Sequence, residues 1–175
     1  LYVVAFQLVL VIELVAVSFN NAYSPWLFKR LVDATPELKQ RLVRYSYVAM
    51  AGFALLALVT AVVMAWVGEL LVDPSYAEAS VFIPWLAAGF MFRGMYYLLA
   101  NYIFFAGVTT YLALVTGIAV VAKIVLTIVL VEANGTVGAA QATALVFCLV
   151  FLMTWAASQV AYPMPWFKAL VGRKG

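Results

Sequence analysis

In a chain of 175 residues that is 68% apolar and only 10% charged, apolar surface exceeds what a water-soluble core can hide, because soluble domains are roughly half apolar and about a quarter charged. The length holds one helical bundle without a second domain having its own core. Histidine is absent and Cys148 is the only cysteine, so an internal disulfide, a zinc cluster and Cys/His nucleophile chemistry are excluded. The net charge of +3 gathers at the ends of apolar runs, which points to a membrane surface and not to a nucleic-acid partner.

Leu1 already lies inside an apolar run, with no initiating Met and no charged n-region before it. The sequence therefore reads as the C-terminal part of a longer chain rather than as a signal peptide followed by a domain. About 20 mostly apolar residues are needed to cross roughly 30 Å of hydrocarbon. Five stretches meet that requirement, at about 1–27, 45–72, 79–106, 109–131 and 137–161. They predict an all-α integral membrane fold. A membrane barrel would alternate polar and apolar residues in segments of about ten, whereas these runs are apolar on every side.

Between the first two helices, in a connection spanning 28–44, Thr35-Pro36-Glu37 supplies a capping hydroxyl, a proline for the first helical position and an acid in the first turn. Pro36 to Arg44 then predicts a short amphipathic helix whose bases suit anionic lipid. Ser75-Tyr76-Ala77-Glu78 has capping-box spacing ahead of the third helix. Asn134-Gly135 predicts a tight turn before the fifth, which also accounts for the sequon-like Asn134-Gly135-Thr136, and Tyr162-Pro163-Met164-Pro165 ends that helix before the tail at 162–175. Pro25 and Pro84 interrupt hydrogen bonding near helix ends, consistent with a bend or a fixed kink. Gly138, Ala139, Ala140, Ala142 and Ala144 form a small-residue face for close helix contact. Cys148 lies within an apolar run as a small packing residue.

Charge sets the orientation. Lys29, Arg30, Lys39, Arg41, Arg44, Lys168, Arg173 and Lys174 fall on one side, with Asp33 and Glu37 among them, while Glu69, Asp73, Glu78 and Glu132 fall on the other with no base. The positive-inside rule makes the basic side, and the C-terminus with it, cytoplasmic. Trp26, Trp66, Trp85, Tyr162 and Trp166 lie near helix ends, where amphipathic rings form an aromatic belt.

Three ionisable residues lie within the runs: Glu13, Arg93 and Lys123. A charge at the bilayer centre costs about 2.5 to 3.5 kcal/mol on insertion scales, so each is expected to face a bundle interior or an aqueous cavity. Pairing Glu13 with one of the bases would merely fix helix packing. With two bases and one acid, however, one positive charge is left over, and an anion is its natural partner. Arg93 and Lys123 are therefore candidate substrate-binding residues. Glu13, Asn20, Asn21, Asn101, Thr127 and Gln141 are candidates to line the same cavity, although amides between membrane helices also serve as packing contacts worth about 0.6 kcal/mol. No carboxylate pair, glycine-rich phosphate loop, metal-ligand cluster or Ser/His/Asp set is present. Enzymatic chemistry, a cofactor and nucleotide hydrolysis are not expected.

Several segments, in order, resemble the Wzx-type polysaccharide or O-antigen flippases of the multidrug/oligosaccharidyl-lipid/polysaccharide exporter superfamily. They are Asn21-Ala22-Tyr23-Ser24-Pro25-Trp26-Leu27-Phe28 at the end of the first helix, Asp73-Pro74-Ser75-Tyr76-Ala77-Glu78-Ala79, and Phe92-Arg93-Gly94-Met95-Tyr96-Tyr97-Leu98-Leu99-Ala100-Asn101. Ile128-Val129-Leu130-Val131 through Asn134-Gly135-Thr136-Val137-Gly138-Ala139-Ala140-Gln141-Ala142-Thr143 completes the set. One departure is that Thr127 stands where such flippases often carry Asn, with Lys123 one turn earlier. The resemblance covers nearly the whole chain and implies most of the C-terminal bundle of a transporter with about twelve to fourteen helices. It further implies translocation of a polyprenyl-diphosphate-linked glycan across the cytoplasmic membrane by alternating access. The implied partners are membrane lipid, the N-terminal half of the same transporter and the polysaccharide polymerase machinery. In that setting Arg93, helped by Lys123, would attract the diphosphate or acidic sugars. The alternatives are a cation-coupled drug exporter or a flippase for a cell-wall precursor in the same superfamily, and a non-transport membrane scaffold.

Overall fold

Long uninterrupted runs of Val, Leu, Ile, Ala and Phe leave the backbone one way to satisfy its own polar groups in hydrocarbon, the α-helix. The computed structural model describes residues 2–70 and 80–171. Within them are α1 (Tyr2–Leu31), α2 (Pro36–Leu70), α3 (Ile83–Phe105), α4 (Thr110–Asn134), α5 (Thr136–Ala161) and a short α6 (Trp166–Val171). No strand occurs among the described residues. Stretches at Ala5–Leu31, Pro36–Met64, Thr110–Asn134 and Thr136–Ala161 are long and apolar enough to cross a bilayer. The 23-residue α3 is the exception among the five long helices, because Arg93, Asn101, Tyr96, Tyr97 and Tyr102 dilute its apolar run.

Four sequence expectations change. Pro36 to Arg44 is not a separate interfacial helix but the opening turns of α2, which runs unbroken for 35 residues. Leu42 and Val43 are fully buried, and no glycine or proline follows them to break the helix before Tyr45. Likewise α1, expected to end at about residue 27, continues to Leu31, with Leu27 and Leu31 anchored in the core. Pro84 falls in the first turn of α3, where a missing N–H removes no intrahelical bond. Trp166 is not at a water boundary: it is 2% exposed, packed edge-on against Tyr47, Tyr102 and Trp155. Trp66 and Trp85 are exposed. The capping box at Ser75 to Glu78 lies outside the described residues.

The other punctuation acts as expected. Thr35 caps α2, its Oγ1 accepting from the Leu38 N–H at 3.3 Å and its carbonyl from the Lys39 N–H at 2.9 Å. Gly135 takes φ +61° between α4 and α5, a left-handed conformation costly for residues with a Cβ.

Helix α3 is the hub, packing against α1, α2 and α5. At the basic end, Tyr23, Leu27, Leu42, Phe53, Leu98, Tyr102 and Trp166 close one core cluster; at the other end Val9, Ile12, Phe82, Leu86, Phe90 and Ala140 close a second. A buried knot of hydroxyls joins three helices: Ser46 Oγ donates to the Leu42 carbonyl and lies 3.2 Å from both Tyr23 and Tyr102.

Helix α4 is attached differently. Only Leu112 and Val115 of it are buried, and it leans almost wholly on α5. The approach is close because Gly138 has no side chain: a Cβ there would run into the Leu130 carbonyl. Gly138→Ala should therefore lower stability in detergent by roughly 1–3 kcal/mol, the usual cost of overpacking. Gly117→Ala, where a Cβ meets open space, should be neutral or stabilising by up to about 1 kcal/mol. Equal thermal melting of the two variants would show that Gly138 does not set the hairpin.

Candidate functional site

Helical spacing places Glu13 and Asn20 on one stripe of α1 and Arg93, Tyr97 and Asn101 on one stripe of α3. These stripes meet along the α1–α3 seam. Arg93 Nε donates to the Tyr97 hydroxyl at 3.3 Å and forms an ion pair with Glu13 Oε1 at 3.1 Å, and that hydroxyl donates to Glu13 Oε1 at 2.7 Å. Two turns further on, Asn101 Nδ2 donates to Asn20 Oδ1 at 2.8 Å, and Asn101 is buried. Glu13 thus spends one oxygen on Arg93 and Tyr97, while Oε2 is buried and unbonded.

The guanidinium has a second side. Its Nε faces Glu13, but the Arg93 side chain is 40% exposed against 17% for Glu13. Its outer nitrogens bond no other described residue, and Cζ lies 5.3 Å from the centre of the Phe147 ring. This end opens on a cleft of 380 Å³ between α3, α4 and α5, lined by Arg93, Tyr96, Tyr97, Thr116, Ala119, Phe147 and Val150. The cleft exists because α4 rests on α5 and meets α3 only weakly.

Lys123 projects from α4 to the same helix. Its Nζ donates to Thr143 Oγ1 on α5, which in turn donates to the Ala139 carbonyl at 2.9 Å and lies 3.2 Å from the Tyr2 hydroxyl. Thr143 and Phe147 are one helical turn apart, so Lys123 and Arg93 reach neighbouring turns of α5. No acid pairs with Lys123 among the described residues, where the one ion pair is Glu13 with Arg93.

The remaining candidates divide. Thr127, one turn beyond Lys123, has a buried hydroxyl without a partner. Gln141 belongs to the α4–α5 turn, accepting from Asn134 Nδ2 at 2.7 Å in an exposed setting. Asn21 is exposed on α1 beside the Asn20 seam. The structure therefore brings Glu13 to Arg93 and Asn20 to Asn101, and leaves Gln141 and Asn21 outside both groups.

Tyr97 and Thr143 were not singled out as site residues from sequence. Tyr97 stands four residues after Arg93, a spacing that signals contact on a helix. Thr143 meets Lys123 only through the packing of two helices. No family model, curated protein or solved structure matches this chain.

Removing one member of a paired charge strands the other, a larger loss than removing both. Arg93→Gln should destabilise the protein more than Glu13→Gln/Arg93→Gln together, with a coupling energy of about 1–3 kcal/mol between the sites. Thermal unfolding of the two single variants and the double variant measures it. Additive effects would mean that the pair contributes nothing to helix association.

Proposed function

We propose that this chain is the C-terminal bundle of a transporter that carries a lipid-linked oligosaccharide, joined through a polyprenyl diphosphate, from the cytoplasmic to the outer leaflet of the cytoplasmic membrane. The observation that supports this reading is the charge count within the apolar helices. Two cations reach neighbouring turns of α5, and one carboxylate answers them. Glu13 neutralises Arg93, so Lys123 is the charge left over for an anion.

The two bases divide the work. Lys123 supplies uncompensated charge from α4, which suits a diphosphate entering a low-dielectric cleft where charge interactions are strong. Arg93 keeps Nε on Glu13 while its outer nitrogens remain open to the cleft, so the planar fork can take phosphate oxygens without abandoning its counter-ion. Tyr96, Tyr97 and Phe147 give the walls apolar and aromatic surface suited to a prenyl chain or sugar faces.

In this reading α3 crosses the membrane as a fifth helix, shielded from lipid by α1, α2 and α5, so its polar residues cost less than they would on a lipid-facing helix. The basic end is cytoplasmic by the positive-inside rule. The N-terminal bundle of the same transporter forms the opposite wall, and the two bundles rock about the site. The sequence resemblance to Wzx-type flippases supports the substrate class. An exporter of organic cations would need acids in this cleft, and the one acid at hand is already bound to Arg93.

The test is transbilayer movement of a fluorescent polyprenyl-diphosphate sugar in vesicles containing the complete protein. Lys123→Gln should slow movement at least tenfold, about 1.4 kcal/mol of lost transition-state stabilisation, while Lys123→Arg keeps most of it. Wild-type protein that moves no such lipid but exports an organic cation would overturn the assignment.

A further inference from the structure

At the basic end of the bundle lies a cleft unrelated to the Arg93 site. It measures 540 Å³, within the range of small-molecule sites. It is lined by Ala34 from the α1–α2 turn, Pro36, Lys39 and Gln40 from the start of α2, Pro163 to Pro165 from the segment after α5, and Trp166 and Phe167 at the start of α6. We infer that this cleft holds the phosphate headgroup and upper acyl chain of an anionic phospholipid from the surrounding leaflet.

Its walls have two chemistries in the order that such a lipid presents them. Lys39 and Gln40 are half-buried, and the Lys39 ammonium lies 4.4 Å from the centre of the Tyr162 ring, so it is held at the rim and not extended into solvent. Pro163, Pro165 and Phe167 supply apolar surface beside it, and Phe167 is 73% exposed, a poor position for a phenyl ring in water and a natural one against an acyl chain. The floor is fixed: Met164 and Trp166 are buried, and the Tyr47 hydroxyl donates to the Trp166 carbonyl at 3.4 Å. The segment after α5 is thus pinned as a wall of the cleft.

Charge complementarity selects an anionic lipid over a zwitterionic one. Lys29, Arg30, Arg41 and Arg44 are exposed around the same end, against Asp33 and Glu37, and each base near an anionic membrane surface contributes about a factor of five in local attraction. The cleft adds to this diffuse attraction a single seated molecule, because among its described lining residues Lys39 and Gln40 bring charged or amide side chains into a space with otherwise largely apolar walls. A seated lipid would also add to the contacts that already tie the segment after α5 to the start of α2, such as Lys39 over the Tyr162 ring.

Photo-crosslinking tests the inference, using the complete protein in nanodiscs doped with phosphatidylglycerol or phosphatidylcholine that carries a diazirine near the glycerol. The phosphatidylglycerol probe should label residues 163–167 at least fivefold more than the phosphatidylcholine probe. Lys39→Gln should remove that preference. Lys39→Arg, and Arg41→Gln outside the cleft, should retain it. The wild-type comparison needs no variant, so a poorly folding Lys39→Gln does not leave the question open. Equal labelling by the two probes, or equal loss in Arg41→Gln, would overturn the site in favour of general surface attraction. Competition by millimolar inorganic phosphate would overturn the lipid in favour of a free anion.

Discussion

Charges on helices in hydrocarbon must be answered by other groups of the protein, and the bond between Glu13 and Arg93 is where this chain meets that requirement. It joins α1 to α3 at mid-helix, and Tyr97 closes a triangle by donating to the same carboxylate oxygen. With that contact made, Asn20 and Asn101 fall into register two turns away, and the hydroxyl knot of Tyr23, Ser46 and Tyr102 draws α2 onto the same seam. Helix α3 can then carry polar residues that would be costly on a lipid-facing helix, because three other helices surround it.

The α4–α5 hairpin supplies the opposite property. It is held by backbone proximity at Gly138 and not by a deep core, and most of α4 faces outward with residues such as Val121, Val125 and Ile128 exposed. A helix so lightly attached to α3 leaves the cleft onto which the guanidinium opens, while the Lys123 amine meets α5 one turn away at Thr143. Across the fixed seam and the loosely joined hairpin, one base is paired with a carboxylate and the other bonds a hydroxyl and no acid among the described residues. That imbalance, and not any single residue, underlies the functional proposal.

Much of this was legible in the sequence because hydrophobic length and turn chemistry are local. The five long helices, the cap at Thr35, the turn at Gly135 and the small-residue face at Gly138 to Ala144 all follow from neighbours in the chain. Helix ends were less legible: α1 continues from about residue 27 to Leu31 and α2 absorbs the segment at Pro36 to Arg44, since packing of Leu31, Leu42 and Val43 extends each helix beyond its apolar run. The choice of partner for Glu13 was open in the sequence between Arg93 and Lys123, because it depends on which helices α3 and α4 lie against. The same is true of Gln141, whose exposed bond to Asn134 is set by the hairpin turn.

The most direct test of the central claim is whether the face of α4 turned toward Arg93 is wet. In a Cys148→Ser background, which removes the chain's one native thiol, single cysteines at Thr116 and Ala119 line the cleft, while those at Ile118 and Val125 lie on another face of α4. Labelling by a charged, membrane-impermeant thiol reagent should be fast at positions 116 and 119 and slow at 118 and 125. Uniformly slow labelling, or faster reaction at 118 and 125, would mean that the cleft is filled by lipid or protein and that Arg93 and Lys123 face no aqueous path.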